Sequence, residues 1–174
     1  MNQQEIISQL EQKHQIFIHY ITGLSDDSFI FRKEEKWSAG QQLEHICRAV
    51  SPLNLAFSLP NFVLKMLFGK ANRPSKSYDE LVKKYQDKLQ NGARATGRFV
   101  PPIIKVEQKE LLCKKLSKTV DTLNQKIKNY TEQELDTFIL PHPLLGKVTI
   151  REMLYFTIYH VEHHLGICKR DLEQ

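Results

Sequence analysis

Three histidines crowd into one helical turn near the C-terminal end of the chain, in the run Tyr159-His-Val-Glu-His-His-Leu165. Neutral imidazole is a common ligand for transition metals, so the phase of these side chains decides what they can do. A helix turns about 100° per residue. With His160 at zero, Ile150, Met153, Leu154, Thr157, Val161, Ile167 and Cys168 fall on an arc centred at about +60°, the expected core stripe. His164 lies inside that arc and His160 at its edge, whereas His163 falls about 120° from the centre and should face outwards or sideways. Two imidazoles one turn apart on a buried face can reach the same metal ion.

That spacing alone is weak, since seven histidines in 174 residues produce about 0.3 such pairs by chance. Burial adds weight. A core histidine costs free energy unless its ring nitrogens find partners, and two on one stripe double the demand. A shared metal satisfies both, but a bundle site needs ligands from facing helices. His45 is the natural third ligand, on the edge of another apolar stripe beside Gln42, Ile46 and Ala49. His14 and His19 diverge on the first helix, and His142 sits in a proline-rich segment. Spacing leaves two readings level: a trio of His45, His160 and His164, or ordinary core histidines with separate partners.

The elements that must position these residues are helical. A first helix is expected from about Gln3 to Thr22, with Ile6, Leu10, Phe17 and Ile21 inward, ended by Gly23 and the SDDS segment. Ser38-Ala-Gly-Gln41 is a capping box that opens a second, with Leu43, Ile46, Val50 and Leu53 as its stripe and a kink expected at Pro52. A shorter helix should lie between the capping box Ser77 to Glu80 and the stop signal Asn91-Gly92, followed by a loop as far as Pro101-Pro102. A long helix is expected from about Lys105 to Tyr130, carrying Leu111, Leu112, Leu116, Val120, Leu123 and Ile127. The two prolines in Leu140–Gly146 exclude helix there, and a third capping box, Thr149 to Glu152, opens the last helix, which runs to about Arg170. No segment alternates with a period of two. The fold class is therefore all-α, a bundle of four long helices with one short extra helix, occupying residues 1–174 as one domain.

Composition restricts the function classes. With 41% hydrophobic and 26% charged residues the chain has the make-up of a soluble globular protein. The polar N-terminus, MNQQEIISQLEQKH, does not resemble a secretory signal, and the longest apolar stretch, Leu53–Phe68, is interrupted by polar residues and Pro60. Cys47, Cys113 and Cys168 are too far apart for a zinc ribbon, and their odd number gives no disulfide framework. A cytoplasmic setting is expected. The net charge of +5 is concentrated between Lys65 and Arg98, where nine Lys or Arg face Asp79, Glu80 and Asp87. Without zinc-finger spacing this reads as a solvated basic face rather than a nucleic-acid site.

Trp37-Ser-Ala-Gly-Gln-Gln-Leu-Glu-His45 resembles the early motif of the DinB/YfiT-like superfamily of metal-binding bundles. His142-Pro-Leu-Leu-Gly-Lys-Val-Thr-Ile-Arg-Glu-Met-Leu154 and the later His160-Val-Glu-His-His164 are similar to that family's final loop and helix. The resemblance implies an up-down-down-up four-helix bundle with a divalent metal on His45, His160 and His164. It also implies small-molecule chemistry, since members include thiol S-transferases using bacillithiol or mycothiol, a mycothiol-dependent isomerase and proteins described as metal-dependent hydrolases. One departure is Ile167, where members often carry Gln three residues after the last ligand.

Three imidazoles leave a coordination position open, as catalytic sites do. Such a position can lower the pKa of bound water to about 7 for hydrolysis, or hold a small thiol as its nucleophilic thiolate. Thiol transfer is the first expectation because the resemblance supplies it, and hydrolysis the second. A stress-related metal-binding or dimerisation module is the non-enzymatic alternative. Zinc, nickel and iron all accept imidazole. A small-molecule substrate and a homodimer are expected, with neither membrane nor nucleic acid as partner. Cys168 falls one turn beyond His164 and reads as a small buried hydrophobe; Tyr159, Glu162 and Glu44 are candidates for orienting a ligand, and Trp37 for packing where the second helix starts.

Overall fold

Side-chain caps set where the helices begin in the computed structural model, which describes residues 1–173. Helix α1 (Gln3–Gly23) starts on an Asn2–Glu5 capping box. Ser25 caps the short α2 (Asp26–Ile30), and the Ser38–Gln41 box opens α3 (Ala39–Ala56). After α4 (Asn61–Phe68), the Ser77–Glu80 box opens α5 (Tyr78–Gln90). Helix α6 (Lys109–Ile127) follows a 3-10 turn over Val106–Gln108. The Thr131–Glu134 box starts α7 (Glu132–Thr137). The Thr149–Glu152 box starts α8 (Ile150–Leu172). Each such cap satisfies backbone donors that a helix start leaves open, worth about 1 kcal/mol.

Four long helices form the bundle. Helix α1 runs antiparallel to α6, with Gln15 against Ser117 and Thr22 against Cys113. Parallel packing of α3 on α6 sets Cys47 beside Leu112 and Asn54 beside Thr119. Lys13 meets Glu162 and Lys169 covers Tyr20, so α1 and α8 are parallel, whereas α3 meets α8 head to tail at Gln42–His164 and His45–His160. The result is up-down-down-up, with α1 and α3 on one diagonal and α6 and α8 on the other. Leu10, Phe17, Ile21, Leu43, Ile46, Leu116, Leu123 and Val161 fill the centre, each burial contributing about 1.5–3 kcal/mol. The start of α3 presses against α2: a Cβ on Gly40 would sit 2.8 Å from the Phe29 ring and 3.2 Å from the Ile104 Cβ, so only glycine fits this contact.

Several details differ from the sequence expectations. Helices α2, α4 and α7 were not anticipated, because five to eight residues are too few to display a helical period. The SDDS segment ends α1, as expected, but also caps and forms α2. Helix α6 is shorter at both ends than predicted. Leu111 is 67% exposed, since it shares a face with Lys115, Lys118 and Thr122 rather than with Leu112 and Leu116. Helix α3 passes through Pro52 to Ala56 without interruption.

The proline-rich segment contains a small hairpin, β1 (Ile139–His142) paired antiparallel with β2 (Gly146–Thr149). Leu140 faces Val148 on the buried side, while Pro141 faces Lys147 on the exposed side. Gly146 takes φ +77° at the turn, in the left-handed region that glycine tolerates. Four-residue strands are too short to announce themselves by alternation. None of the described helices is long and apolar enough to cross a membrane.

Candidate metal centre

The phase imposed by the Thr149 cap brings His160 and His164 inward, 5% and 6% exposed, while His163 is half-buried at the side. From α3, His45, 5% exposed, meets them. The Nε2 atoms of His45 and His160 are 3.2 Å apart, and those of His160 and His164 are 3.0 Å apart. One nitrogen from each of the three lies within 4.8 Å of the others.

The far side of two rings fixes their tautomers. His45 Nδ1 lies 2.7 Å from the Phe99 carbonyl oxygen. A carbonyl only accepts, so Nδ1 carries the proton and Nε2 presents its lone pair. His164 Nδ1 donates likewise to Gln42 Oε1, with the same consequence. Both lone pairs point at His160 Nε2, which carries at most one proton and can satisfy one of them. Burial holds His160 and His164 well below the ordinary imidazole pKa, and the neighbouring histidines push in the same direction. His45 is also lowered by burial, against the opposing pull of its bond to Phe99. The trio is therefore neutral at pH 7, as ligation requires, with more acceptors than donors at its centre. A divalent cation fits that donor set, and imidazole suits zinc, nickel and iron alike.

Aromatic walls steady the rings. Phe156 stacks on His160 with centroids 4.6 Å apart, and Trp37 packs against His45 at 5.0 Å, extending its expected role at the start of α3. The other candidates are engaged elsewhere. Glu162 pairs with Lys13 at 2.6 Å and accepts from Tyr78, Tyr159 accepts from Gln86, and Glu44 is buried against Arg48 at 2.7 Å and Lys115 at 3.8 Å. None of these three orients a histidine of the trio. Cys168 is buried and its thiol is pushed up to about 12, chiefly by burial, so it serves as packing. His14 is buried and His19 exposed, both on α1 and apart from the trio.

The trio borders a cleft of about 1020 Å³ between α3, α5, α8, the hairpin turn and the loop that holds Phe99. His163 and Ile167 line it, as does Tyr85 of α5, whose ring meets His160 edge-on at 6.1 Å. Three contributors went unassigned from sequence: Gln42, the Phe99 carbonyl and His142. Gln42 carried a signal, a polar side chain three residues before His45 on the same apolar face. His142 Nδ1 accepts from the backbone N–H groups of Leu144 and Leu145, both at 3.1 Å, which places its proton on Nε2. Burial, with help from Lys84, lowers its pKa to about 4, so the ring is a neutral N–H donor in the cleft wall.

No curated protein matches the sequence. The family model of the DinB superfamily matches residues 9–168, which include α3, α8 as far as Cys168 and all three histidines. Together with an up-down-down-up bundle and a buried trio drawn from its two expected helices, that match places the chain in the DinB superfamily.

Proposed function

We propose that the protein is a divalent-metal-dependent transferase that joins a small-molecule thiol to an electrophile. The observation that carries this reading is the convergence of three neutral imidazoles at the wall of a large, mainly apolar cleft. His45, His160 and His164 would hold the ion, with Phe99 and Gln42 fixing two of the rings. When bound, the metal supplies Lewis acidity that lowers the pKa of a thiol or a water next to it.

Two features favour thiol over water as nucleophile. Hydrolysis benefits from a carboxylate base near the metal, as in the zinc peptidase motif. Neither carboxylate lining this cleft contacts the trio: Asp171 pairs through Oδ1 with Lys36 at 3.0 Å, and the exposed Glu35 lies 3.8 Å from Arg32. A thiol needs less help, since its pKa of about 8.5 is roughly seven units below that of water. The apolar walls around Phe156 and Met153 exclude water from an electrophile's carbon skeleton, and His142 Nε2–H can donate to an oxygen on it.

The test begins with chelator-free protein analysed for metal, then loaded and incubated with a small thiol and monochlorobimane, or with a chromogenic ester. Metal-dependent loss of thiol matched by thioether formation supports the reading. Ester hydrolysis indifferent to thiol would move the protein to the hydrolases. A metal content below about 0.2 per chain that does not rise on metal addition would remove the site altogether.

A further inference from the structure

The mouth of the cleft carries guanidinium groups without acidic partners. Arg94, Arg98 and Arg170 all line it and are exposed, and none forms an ion pair among the described residues. Among the described residues the Arg94 guanidinium donates to the carbonyl oxygens of Ala93 and Leu89, at 2.8 and 3.3 Å. Arg98 lies over the Phe99 ring at 5.0 Å. Arg170 projects from α8 and lines the same cleft as His163.

These arginines are tied to the trio. Arg48 of α3 donates to the backbone carbonyls of Arg98 and Val100 at 3.0 and 3.1 Å and is itself anchored on Glu44. The residue between those two carbonyls is Phe99, which orients His45. The loop that presents Arg98 is thus registered against the histidine centre. The two carboxylates at the cleft are already paired, so the mouth has a net positive field over mainly apolar walls.

We infer that the cleft selects an organic anion whose carboxylate, phosphate or sulfonate group is held by Arg94, Arg98 and Arg170 while its reactive end reaches the histidine trio. This names the substrate class for the proposed transfer and rests on that reading. Guanidinium forks bind planar carboxylates and phosphates in paired hydrogen bonds, and a low-dielectric wall strengthens the attraction.

Calorimetric titration of the metal-loaded full chain at low salt tests it with two thiols of similar size, the dicarboxylate mercaptosuccinate and the uncharged 1-thioglycerol. Mercaptosuccinate should bind at least about tenfold more tightly, and 0.5 M salt should erase much of the difference. In the triple variant Arg94→Gln, Arg98→Gln, Arg170→Gln the ratio should collapse towards one with metal content maintained. Equal affinities in the parent, or a preference that survives the triple variant, would overturn the inference. If neither thiol binds although metal is taken up, thiol transfer fails, and succinate then decides the anion site separately. Saturable succinate binding that disappears in the triple variant upholds the inference; no succinate binding overturns it.

Discussion

Helix α8 carries two buried polar clusters, separated by about 12 Å of helix, and they solve opposite problems. At its start Glu152 is fully buried, yet both carboxylate oxygens are occupied. They accept from the two Nη atoms of Arg73, at 2.6 and 2.9 Å, and from the N–H groups of Lys76 and Thr149. Next to it, Arg151 is shared among Asp136, Glu132 and the Met1 carbonyl. Every acceptor there has a donor from the chain. Two turns on, His45, His160 and His164 present lone pairs to one another with too few protons between them. A buried cluster that completes itself holds the fold together; one that lacks positive charge at its centre is built to receive it.

The largest expected break in this contrast is Arg73→Met. It strands the Glu152 carboxylate and should cost about 3 kcal/mol in urea denaturation while metal per folded chain stays constant. His160→Ala should do the reverse. Metal at about 100 times its dissociation constant stabilises the parent by roughly 2.7 kcal/mol, and melting with and without chelator should show that increment absent in the variant but intact in Arg73→Met. If chelation shifts both equally, the trio is not the metal site. Gln42→Leu removes the acceptor that orients His164 and should weaken metal binding about 10- to 100-fold in competition with a chromophoric chelator.

His14 is an intermediate case, with Nδ1 bonded to the Leu10 carbonyl at 2.7 Å and Nε2 buried without a partner among the described residues. Burial lowers its pKa to about 4 from 6.5. The unfolded chain therefore takes up the proton first as pH falls. Stability present above pH 6.5 should be lost by about 1.4 kcal/mol per unit on the way down to the folded pKa. Comparing parent with His14→Met between pH 6.5 and 4 cancels the other titrations; parallel stability curves would contradict the assignment. The smallest effect belongs to His163→Ala, which should leave metal uptake nearly unchanged. A loss equal to that of His160→Ala would mean that α8 is rotated.

The parts of this molecule that could be read from sequence are those written in side chains along one helix. Ser38, Gln41, Thr149 and Glu152 fix where α3 and α8 start, and the stripes that follow fix which histidines turn inward. Burial bears out His160 and His164 on the core face, while His163 sits sideways at the cleft. Leu111 misled because adjacent leucines cannot both share a stripe, and composition does not say which yields. Helices α2, α4 and α7 and the hairpin are shorter than the window a period needs. The Phe99 carbonyl left no trace at all, since a main-chain acceptor has no residue type and its approach to His45 depends on the path of a distant loop.

That anonymity has an evolutionary consequence. His45 is oriented by an atom that every amino acid possesses, so the Phe99 side chain can change without releasing the ring, provided the backbone path persists. The same loop carries Arg94 and Arg98 at the cleft mouth. On the proposed reading, substitutions there would retarget the protein to a different ligand while the histidine centre keeps its geometry. Drift at the cleft mouth is thereby uncoupled from loss of the histidine geometry, and the proposed substrate preference would change by rewriting a few exposed positions.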